Sequence, residues 1–341
     1  MRRITQLMEA VKEVVEEVKQ EKRGRPKKPQ RGRPIRMQTI AETTMIKLLA
    51  TLMKWNISQT HRHLTDTKCP TFRKICFLPL SQIPSRRTLQ NRWNNPKVIS
   101  FQQRVLKRLL RKLLAKKALR ITFMDMSDLP VDMKDKGAKF GYCGKGPFWG
   151  YKFFMLTSQD GIPIAVVVSK ANKVEMSTSK RLLRQVERRL SGKQKEDILL
   201  LVADAGYDGE EVYKDAEELL KAQLLCQVNP RRDAELKRFR DDGKLASQKR
   251  RELERSSRKR AKGILISSSK NGRKAIGKRI FVEQTIKALK IDLGMGCIPH
   301  WIRGVRRVMG WVMDHVFLFV SIAYCNKLHR RPLRQLAPYL I

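Results

Sequence analysis

The chain has 341 residues, with 74 Lys or Arg against 32 Asp or Glu, and its formal net charge is +42. Such a charge attracts polyanions and makes a nucleic acid the leading expectation for a partner. The 41% hydrophobic content excludes a chain that is only a disordered basic tail, because it is enough to form a core.

The cysteine pattern and the apolar segments bear on where the protein resides. The six Cys residues are scattered without a close pair, which favours free thiols in a reducing compartment. The N-terminus does not read as a signal peptide, and the apolar segment 316–324 is shorter than a membrane span and is interpreted as a buried core helix. We expect no membrane contact and a cytoplasmic, nucleoid-associated protein, or a nuclear one if the host is eukaryotic.

Residues 1–22 are predicted to form an amphipathic helix. Its apolar residues recur at alternating spacings of four and three, as in a coiled-coil seam: Ile4, Met8, Val11, Val15 and Val18. A helix of this length is marginal by itself, so it must pack on the rest of the chain or on a second copy. The sequence leaves both options open.

Residues 23–36 form a basic arm that contains the tetrapeptide Arg-Gly-Arg-Pro twice. The first copy contributes Arg23, Gly24 and Arg25, and the second contributes Arg31, Gly32 and Arg33. The motif resembles the AT-hook, an extended arm that lies in the minor groove. Glycine allows close approach of the backbone, proline keeps the arm extended, and arginine is attracted by the potential of a narrow A·T groove. A basic linker or a localisation signal is the alternative.

Residues 37–118 are predicted to be helical and to contain a helix-turn-helix-like DNA-binding domain and a connecting helix. The segment from Ser85 to Trp93 begins with a serine N-cap. It presents four side chains of the types that read base edges in the major groove: Arg86, Arg87, Gln90 and Asn91. An ordinary polar helix face is the alternative for this segment taken alone.

From residue 119 the hydrophobic period changes to that of strands, and the predicted order is β-β-β-α-β-α-β. The predicted strands are 120–125, 150–157, 162–168, 198–203 and 223–228, and Gln159-Asp160-Gly161 predicts a hairpin turn. The run 198–203 is apolar on both faces, as in a buried strand beside a parallel neighbour. The order matches the ribonuclease-H-like fold, an α/β fold with a mixed sheet flanked by helices. We assign residues 119–228 and 276–330 to this domain.

Two basic segments lie outside that domain in this division of the chain. Residues 229–275 carry a large excess of Lys and Arg and are interpreted as an insertion that contacts DNA. A flexible charged excursion is the alternative. Residues 331–341 are interpreted as a basic C-terminal tail.

Three acidic residues stand in settings that are unusual for so basic a chain. Asp125 closes the first predicted strand, Asp204 closes the fourth, and Glu283 lies inside a predicted helix. Carboxylates at strand ends are costly to desolvate unless they meet a cation, so the three residues predict a two-metal site for phosphoryl transfer. Nearby, Asp128 is expected to be a loop or cap residue after the strand, and Asp208 is expected to cap the next helix.

The segment from about 119 to 330 resembles the DDE transposases of bacterial and archaeal insertion sequences. Asp125 begins a D-x-S motif, and Ala203 to Asp208 is similar to the family's ADxGYD. Arg279, Glu283 and Lys290 fit R-(3)-E-(6)-K, part of the Y-(2)-R-(3)-E-(6)-K signature. This chain departs from the signature in one place, because Ile276 stands where the tyrosine would be.

The resemblance implies DNA cleavage at the ends of an insertion sequence and strand transfer into target DNA. The expected cofactor is a pair of Mg²⁺ ions, for which Mn²⁺ can substitute, held by the three acids. Arg279, Lys290 and Lys152 would contact phosphate. The expected partner is double-stranded DNA, bound by a homodimer that joins two ends. A ribonuclease-H-like nuclease without strand transfer and a non-catalytic, domesticated DNA-binding protein are the alternatives.

Overall fold

The computed structural model describes residues 1–21, 37–115, 119–144, 146–229, 251, 254–255 and 258–340. They belong to two compact units. The first, here called the helical unit, contains residues 1–113, 291–295 and 310–341. The second, here called the sheet unit, contains residues 114–290 and 296–309. The predicted arm, residues 23–36, and residues 230–250 of the predicted insertion are not among the described residues.

The N-terminal part of the helical unit consists of short and medium helices. They are α1 Arg2–Gln20, α2 Met37–Leu52, α3 Ile57–Thr65, α4 Thr71–Ile75, α5 Arg86–Trp93 and α6 Pro96–Leu114. Lys47 of α2 is buried, and its ammonium group pairs with Asp314 at 2.9 Å. The side chain of Gln102 in α6 donates to the same carboxylate at 2.8 Å. Since a buried charge needs such partners, this network fixes α2 and α6 to the helix that contains Asp314.

Helix α1 is the amphipathic helix that its spacing predicts, and its apolar seam packs on other helices of the same chain. All five seam residues are at most 2% exposed: Ile4, Met8, Val11, Val15 and Val18. They are buried where α1 packs on α2 and α4. The seam therefore packs within its own chain, and it is not a surface for self-association.

The sheet unit is built on a six-stranded mixed sheet. Its strands are β1 Ile121–Pro130, β2 Lys139–Cys143, β3 Gly146–Ser158, β4 Pro163–Lys170, β5 Leu200–Ala203 and β6 Gln223–Cys226. The order is β2-β3-β1-β5-β6, and β4 also pairs with β3. The pairs among β1 to β4 are antiparallel, and β1, β5 and β6 are parallel. The ribonuclease-H-like α/β fold class is confirmed.

Two details of the sheet differ from the prediction. Strand β1 does not end at Asp125, because residues up to Pro130 continue to pair with β3. Strand β2 was not predicted, since five residues that include a glycine give too short a pattern. The hairpin between β3 and β4 is as predicted, and Gly161 there has φ +73°, a conformation that favours glycine.

Helices cover both faces of the sheet. They are α7 Met176–Arg189, α8 Gly192–Glu196, α9 Glu210–Leu220, α10 Arg258–Ser268, α11 Lys270–Gly277 and α12 Ile280–Lys287. Helix α7 packs on β3 and β4, and α12 packs on β1 and β3. The ring of Phe281 in α12 lies 6.3 Å from that of Phe123 in β1, and the hydroxyl of Thr285 donates to the carbonyl of Gly161 at 2.8 Å. These contacts place α12 on the sheet face to which Phe123 points.

Residues 258–275 require a correction to the predicted insertion, because they are part of the folded sheet unit. Ala261 and Ile264 of α10 are buried against Val228, which follows β6. Gly263 lies so close to the sheet that an added Cβ would stand 2.7 Å from the carbonyl oxygen of Leu224. Apolar residues at this spacing anchor α10 as a packed element, not as a charged excursion.

The C-terminal region is more extensively packed than predicted. Helix α13 spans Val305–Leu328, and from residue 310 onward the chain belongs to the helical unit. The predicted tail contains buried Leu336 and Tyr339, and the Tyr339 hydroxyl donates to the side chain of Asn326 at 2.8 Å. Part of the predicted basic tail is therefore packed into the helical unit, because Leu336 and Tyr339 are buried.

Helix α13 also bears on the question of a membrane span. Among the described residues it is the one helix that is long and apolar enough to cross a membrane by length and composition. The predicted short core segment is therefore part of a 24-residue helix. Within its most apolar window, 83% of the residues are buried inside the protein, as in the core helices of soluble proteins.

Candidate active site

Asp125 and Asp204 are neighbours because β1 and β5 are parallel and in register. Met124 pairs with Ala203, and the next residue of each chain segment is the predicted acid. Asp204 directly follows β5 as expected, whereas Asp125 lies within β1 and not at its end. Both acids therefore lie at the point where the short strand β5 stops and β1 continues.

Partial burial makes Asp125 an unusual carboxyl group. Burial raises its pKa to about 6, while the positive charge of Arg279 and a hydrogen bond from the backbone N–H of Met126 oppose that rise. The carboxylates of Asp204 and Glu283 raise the pKa further. Asp204 and Glu283 therefore lie close enough to Asp125 for their charges to act on it.

Arg279 joins the two other acids directly. It is the N-cap residue of α12, and Glu283 lies in the first turn of that helix. One guanidinium nitrogen lies 2.7 Å from a carboxylate oxygen of Asp204, and another lies 3.0 Å from one of Glu283. The carboxylates are about half exposed, at 49% and 50%, so DNA and small ions can reach them.

Lys290 belongs to a second charged pair beside this cluster. It lies in a π-helical turn after α12, and its ammonium group donates to the hydroxyl of Ser127 at 3.1 Å and to the carboxylate of Asp128 at 3.2 Å. Burial alone would raise the pKa of Asp128, but the charge and hydrogen bond of Lys290 outweigh it and lower that pKa. The expectation that Asp128 is a loop or cap residue after the strand was wrong, because β1 extends through it.

Two side chains beside the acids were not predicted. Tyr207 is fully buried, and its hydroxyl has no hydrogen-bond partner within the part of the chain that is described. Its pKa is raised well above the usual value, first by burial and then by the charges of Asp125, Glu175 and Asp204. Glu175 reaches this place from the N-cap of α7. The ADxGYD motif contains Tyr207, but nothing in the sequence around Glu175 marks it.

Asp208 has a structural role that differs from the predicted helix cap. The N-cap of α9 is Gly209. The buried Asp208 carboxylate accepts two hydrogen bonds from the guanidinium of Arg260 in α10, at 2.9 and 2.8 Å, and one from the backbone N–H of Asn229. The prediction of a cap was therefore wrong, because a partner 52 residues away provides a stronger interaction.

The three acids form a donor set of carboxylate oxygens, which is the chemistry that Mg²⁺ prefers. Across the residues that the structure describes, no group of three or more His, Cys, Asp or Glu is gathered closely enough to hold a metal ion. The cation that Asp204 and Glu283 share is the guanidinium of Arg279. The three carboxylates are therefore the ligand type that a hard cation prefers, and the charges of two of them act on the third. Two of the three side chains contact the guanidinium of Arg279.

Only some of the residues predicted to contact DNA are among the described residues. The base-reading candidates of α5, Arg86, Arg87, Gln90 and Asn91, are all exposed. The predicted N-cap is present, and the hydroxyl of Ser85 accepts from the backbone N–H of Thr88 at 3.3 Å. Lys152 lies in β3 opposite Asp128 and is 8% exposed. The two Arg-Gly-Arg copies, Arg23 to Arg25 and Arg31 to Arg33, lie outside the described residues. These DNA-binding roles stay predictions.

Comparison with known proteins gives the family. The model of the family described as "Transposase DDE domain" matches residues 116–299. Among solved structures, a piggyBac transposase synaptic complex with hairpin DNA, determined by cryo-electron microscopy, is similar at 11% identity and a TM-score of 0.31. That similarity covers 100% of this chain and 83% of the other, but at so low a score it supports no conclusion. No curated protein matches the chain. Because the matched family model covers more than half of the sequence and contains Asp125, Asp204 and Glu283, the chain belongs to the transposase DDE domain family.

Proposed function

We propose that this transposase-family chain cleaves DNA at the ends of an insertion sequence and joins the released ends to target DNA by phosphoryl transfer. The observation that carries the proposal is the convergence of three acids on one place. Asp125 comes from β1, Asp204 from the end of β5 and Glu283 from α12. Arg279 contacts the last two, and its charge opposes the rise in the pKa of Asp125. Bringing carboxylates from three separate elements close together costs free energy through desolvation and repulsion. Such a cost is typical of a functional site and does not stabilise the fold.

The proposed roles follow from exposure and charge. Asp125, Asp204 and Glu283 would hold two Mg²⁺ ions, or Mn²⁺ in their place. When bound, such ions would activate the attacking oxygen and stabilise the charge of the leaving oxygen. Arg279 would turn from the carboxylates to a DNA phosphate, which its length and the half-exposed setting of its partners allow. Lys290 would keep β1 in place through Ser127 and Asp128, or contact phosphate beside them.

The proposed partner is double-stranded DNA, both at the element ends and at the target. Helix α5 and the basic arm would position the DNA, and two copies of the chain would join two ends as a homodimer. A cytoplasmic, nucleoid-associated location, or a nuclear one in a eukaryotic host, belongs to the same proposal. The net charge of +42 supports a polyanionic partner of this kind.

Two alternatives would use the same residues differently. A nuclease would cut DNA without joining it, and a domesticated DNA-binding protein would need none of the acids. The coupling of Asp125 to two further carboxylates disfavours the second alternative, because a binding protein gains nothing from the raised pKa and desolvation of that group.

The test is a cleavage and joining assay on DNA that carries the flanking ends of the chain's own gene, with Mg²⁺, with Mn²⁺ or with EDTA. We expect nicks at the ends and joined products with either metal and neither in EDTA. Asp204→Ala should lose both products while it keeps DNA affinity. Nicks without joined products would support the nuclease, and DNA binding without nicks in any metal would support the binding protein.

The control for this test is Asp197→Ala, which removes an acid just before the same strand. It should leave cleavage unchanged. If Asp204→Ala cleaves as well as Asp197→Ala does, the assignment of the site is wrong.

A further inference from the structure

The hairpin of β2 and β3 presents aromatic side chains to solvent. Phe140 pairs with Trp149 across the two strands, and Tyr142 pairs with Pro147. Phe140 is 58% exposed and Tyr142 is 75% exposed, and the rings of Phe140 and Trp149 meet edge to face with their centroids 4.9 Å apart. Alternation along a strand places Phe140, Tyr142 and Trp149 on one face, and we call these three residues the aromatic platform.

The hairpin has its own anchor on the opposite face, so the platform is not needed to hold it. Gly141 points away from the platform and lies so close to Ala171 that an added Cβ would stand 2.3 Å from the carbonyl oxygen of that residue. The indole N–H of Trp149 has no acceptor among the described residues. That N–H is itself buried, so the platform offers a ligand only the exposed rings of Phe140 and Tyr142.

The platform lies on the same face of the sheet as the acids. Asp125 pairs with Met155 of β3, and Trp149 is six residues earlier on the same strand, so both point to one face. Six residues of strand correspond to a distance of about 20 Å. Between them, the carboxylate of Asp135 accepts from the Tyr151 hydroxyl and from the backbone N–H of Gly304, which brings the exposed Trp301 segment to this face.

Positive charge surrounds the platform. Four exposed lysines lie on the segments next to the hairpin: Lys134, Lys136, Lys170 and Lys173. Within the described residues none of them forms an ion pair with a carboxylate. Lys170 lies opposite Tyr151 of β3, on the same face of the sheet as Trp149. Exposed rings framed by unneutralised lysines match a strand of nucleic acid, whose bases stack on aromatic faces and whose phosphates need cations.

We propose that the aromatic platform binds unpaired bases of a DNA strand whose backbone continues to Asp125, Asp204 and Glu283. The proposal rests on the proposed function in that DNA occupies the active site, but it concerns binding and does not require cleavage. Tyr142 and Phe140 stack on bases, Trp149 supports Phe140, and the lysines hold the phosphates on either side. A protein partner on the same apolar surface is the competing occupant.

The test uses a DNA duplex with a short single-stranded overhang that contains the fluorescent base 2-aminopurine. Binding is measured in EDTA, so that no strand is cut, and the quenching of 2-aminopurine reports stacking. Tyr142→Leu and Phe140→Leu should each weaken binding of the overhang duplex at least about fivefold and reduce the quenching. The same variants should bind a fully paired duplex like the wild type.

Matched variants separate stacking from apolar contact and from loss of fold. Tyr142→Phe keeps the ring and should keep both affinity and quenching. Leu199→Ala changes an exposed apolar residue directly before β5 and should have no effect. Unchanged quenching in Tyr142→Leu would overturn the proposal, and so would an equal loss of affinity for paired and overhang DNA. A change in self-association with unchanged DNA binding would assign the platform to a protein interface and would also overturn it.

If cleavage is absent in the wild type but the overhang effects appear, the proposed function fails and the platform stands. The reverse result rejects the platform alone.

Discussion

At the scale of single residues, the surroundings of Asp125 change the pH at which its carboxyl group ionises. Its pKa in the folded protein is about 6 against an ordinary value of 3.8, chiefly because the group is partly buried. The folded state therefore binds this proton more tightly than the unfolded chain does. Ionisation of Asp125 thus lowers stability as the pH rises from about 4 to about 6, and the cost is fully present above that range.

Asp125→Asn should remove this cost. In EDTA we expect the free energy of unfolding to rise by up to about 3 kcal/mol at about pH 7.5, and by less at about pH 4.5. Denaturant titrations at the two pH values measure the difference. The exposed Asp292→Asn is the control and should show no such dependence. A variant that is less stable than the wild type at about pH 7.5 would contradict the assignment of a strained, desolvated carboxylate.

At the scale of elements, the pair Asp208 and Arg260 connects the segment after β5 to α10. The Asp208 side chain is fully buried and Arg260 is 19% exposed. Asp204 is only four residues before Asp208, so this pair also fixes the backbone that carries one of the acids. Breaking a buried pair by removing one partner leaves an uncompensated charge, which is costly.

Arg260→Ala should lower the free energy of unfolding by about 3–5 kcal/mol, because the buried Asp208 would lose the guanidinium that donates two hydrogen bonds to it. The double variant Asp208→Leu with Arg260→Met should recover much of that loss, since no buried charge remains. Lys214→Ala, which breaks the exposed pair with Glu210, is the control and should leave stability unchanged. Urea denaturation measures all three. A loss in Arg260→Ala no larger than in the control would show that the pair contributes little.

The elements also show which features the sequence can predict. Strand β5 and helix α12 follow from local patterns, an apolar run before Asp204 and a helical period around Glu283. Strand β2 and the extension of β1 depend on pairing with β3, which no local pattern records. The pairing of Asp208 with Arg260 and that of Lys290 with Asp128 join residues far apart in the chain, so local reading assigned these two aspartates to a cap or a loop.

At the scale of the whole molecule, charge dominates the expected association with DNA. A net charge of +42 makes affinity depend steeply on salt, because each neutralised phosphate releases counterions. Composition predicts this property without any structure. It does not predict which cation lies beside the acids, and the structure shows that Arg279 contacts both Asp204 and Glu283.

The basic arm should contribute a definite share of that salt dependence. Replacing Arg25 and Arg33 with Ala should weaken binding to A·T-rich duplex DNA and reduce the log-log salt slope by up to about one unit per lost phosphate contact. Arg181→Ala with Arg184→Ala removes the same charge from the exposed side of α7 and serves as the control. Titrations at several salt concentrations measure both slopes. Equal slopes in the wild type and the arm variant would reject binding in the minor groove.

The central claim is that Asp125, Asp204 and Glu283 act together as ligands for divalent ions. The most direct measurement is Mn²⁺ binding to the protein–DNA complex, followed by electron paramagnetic resonance, for the wild type and for Asp125→Asn, Asp204→Asn, Glu283→Gln and Asp128→Asn. We predict that the first three variants each lose most of the bound Mn²⁺, while Asp128→Asn, whose carboxylate is held by Lys290, binds like the wild type. Unchanged Mn²⁺ binding in the first three variants would contradict the account.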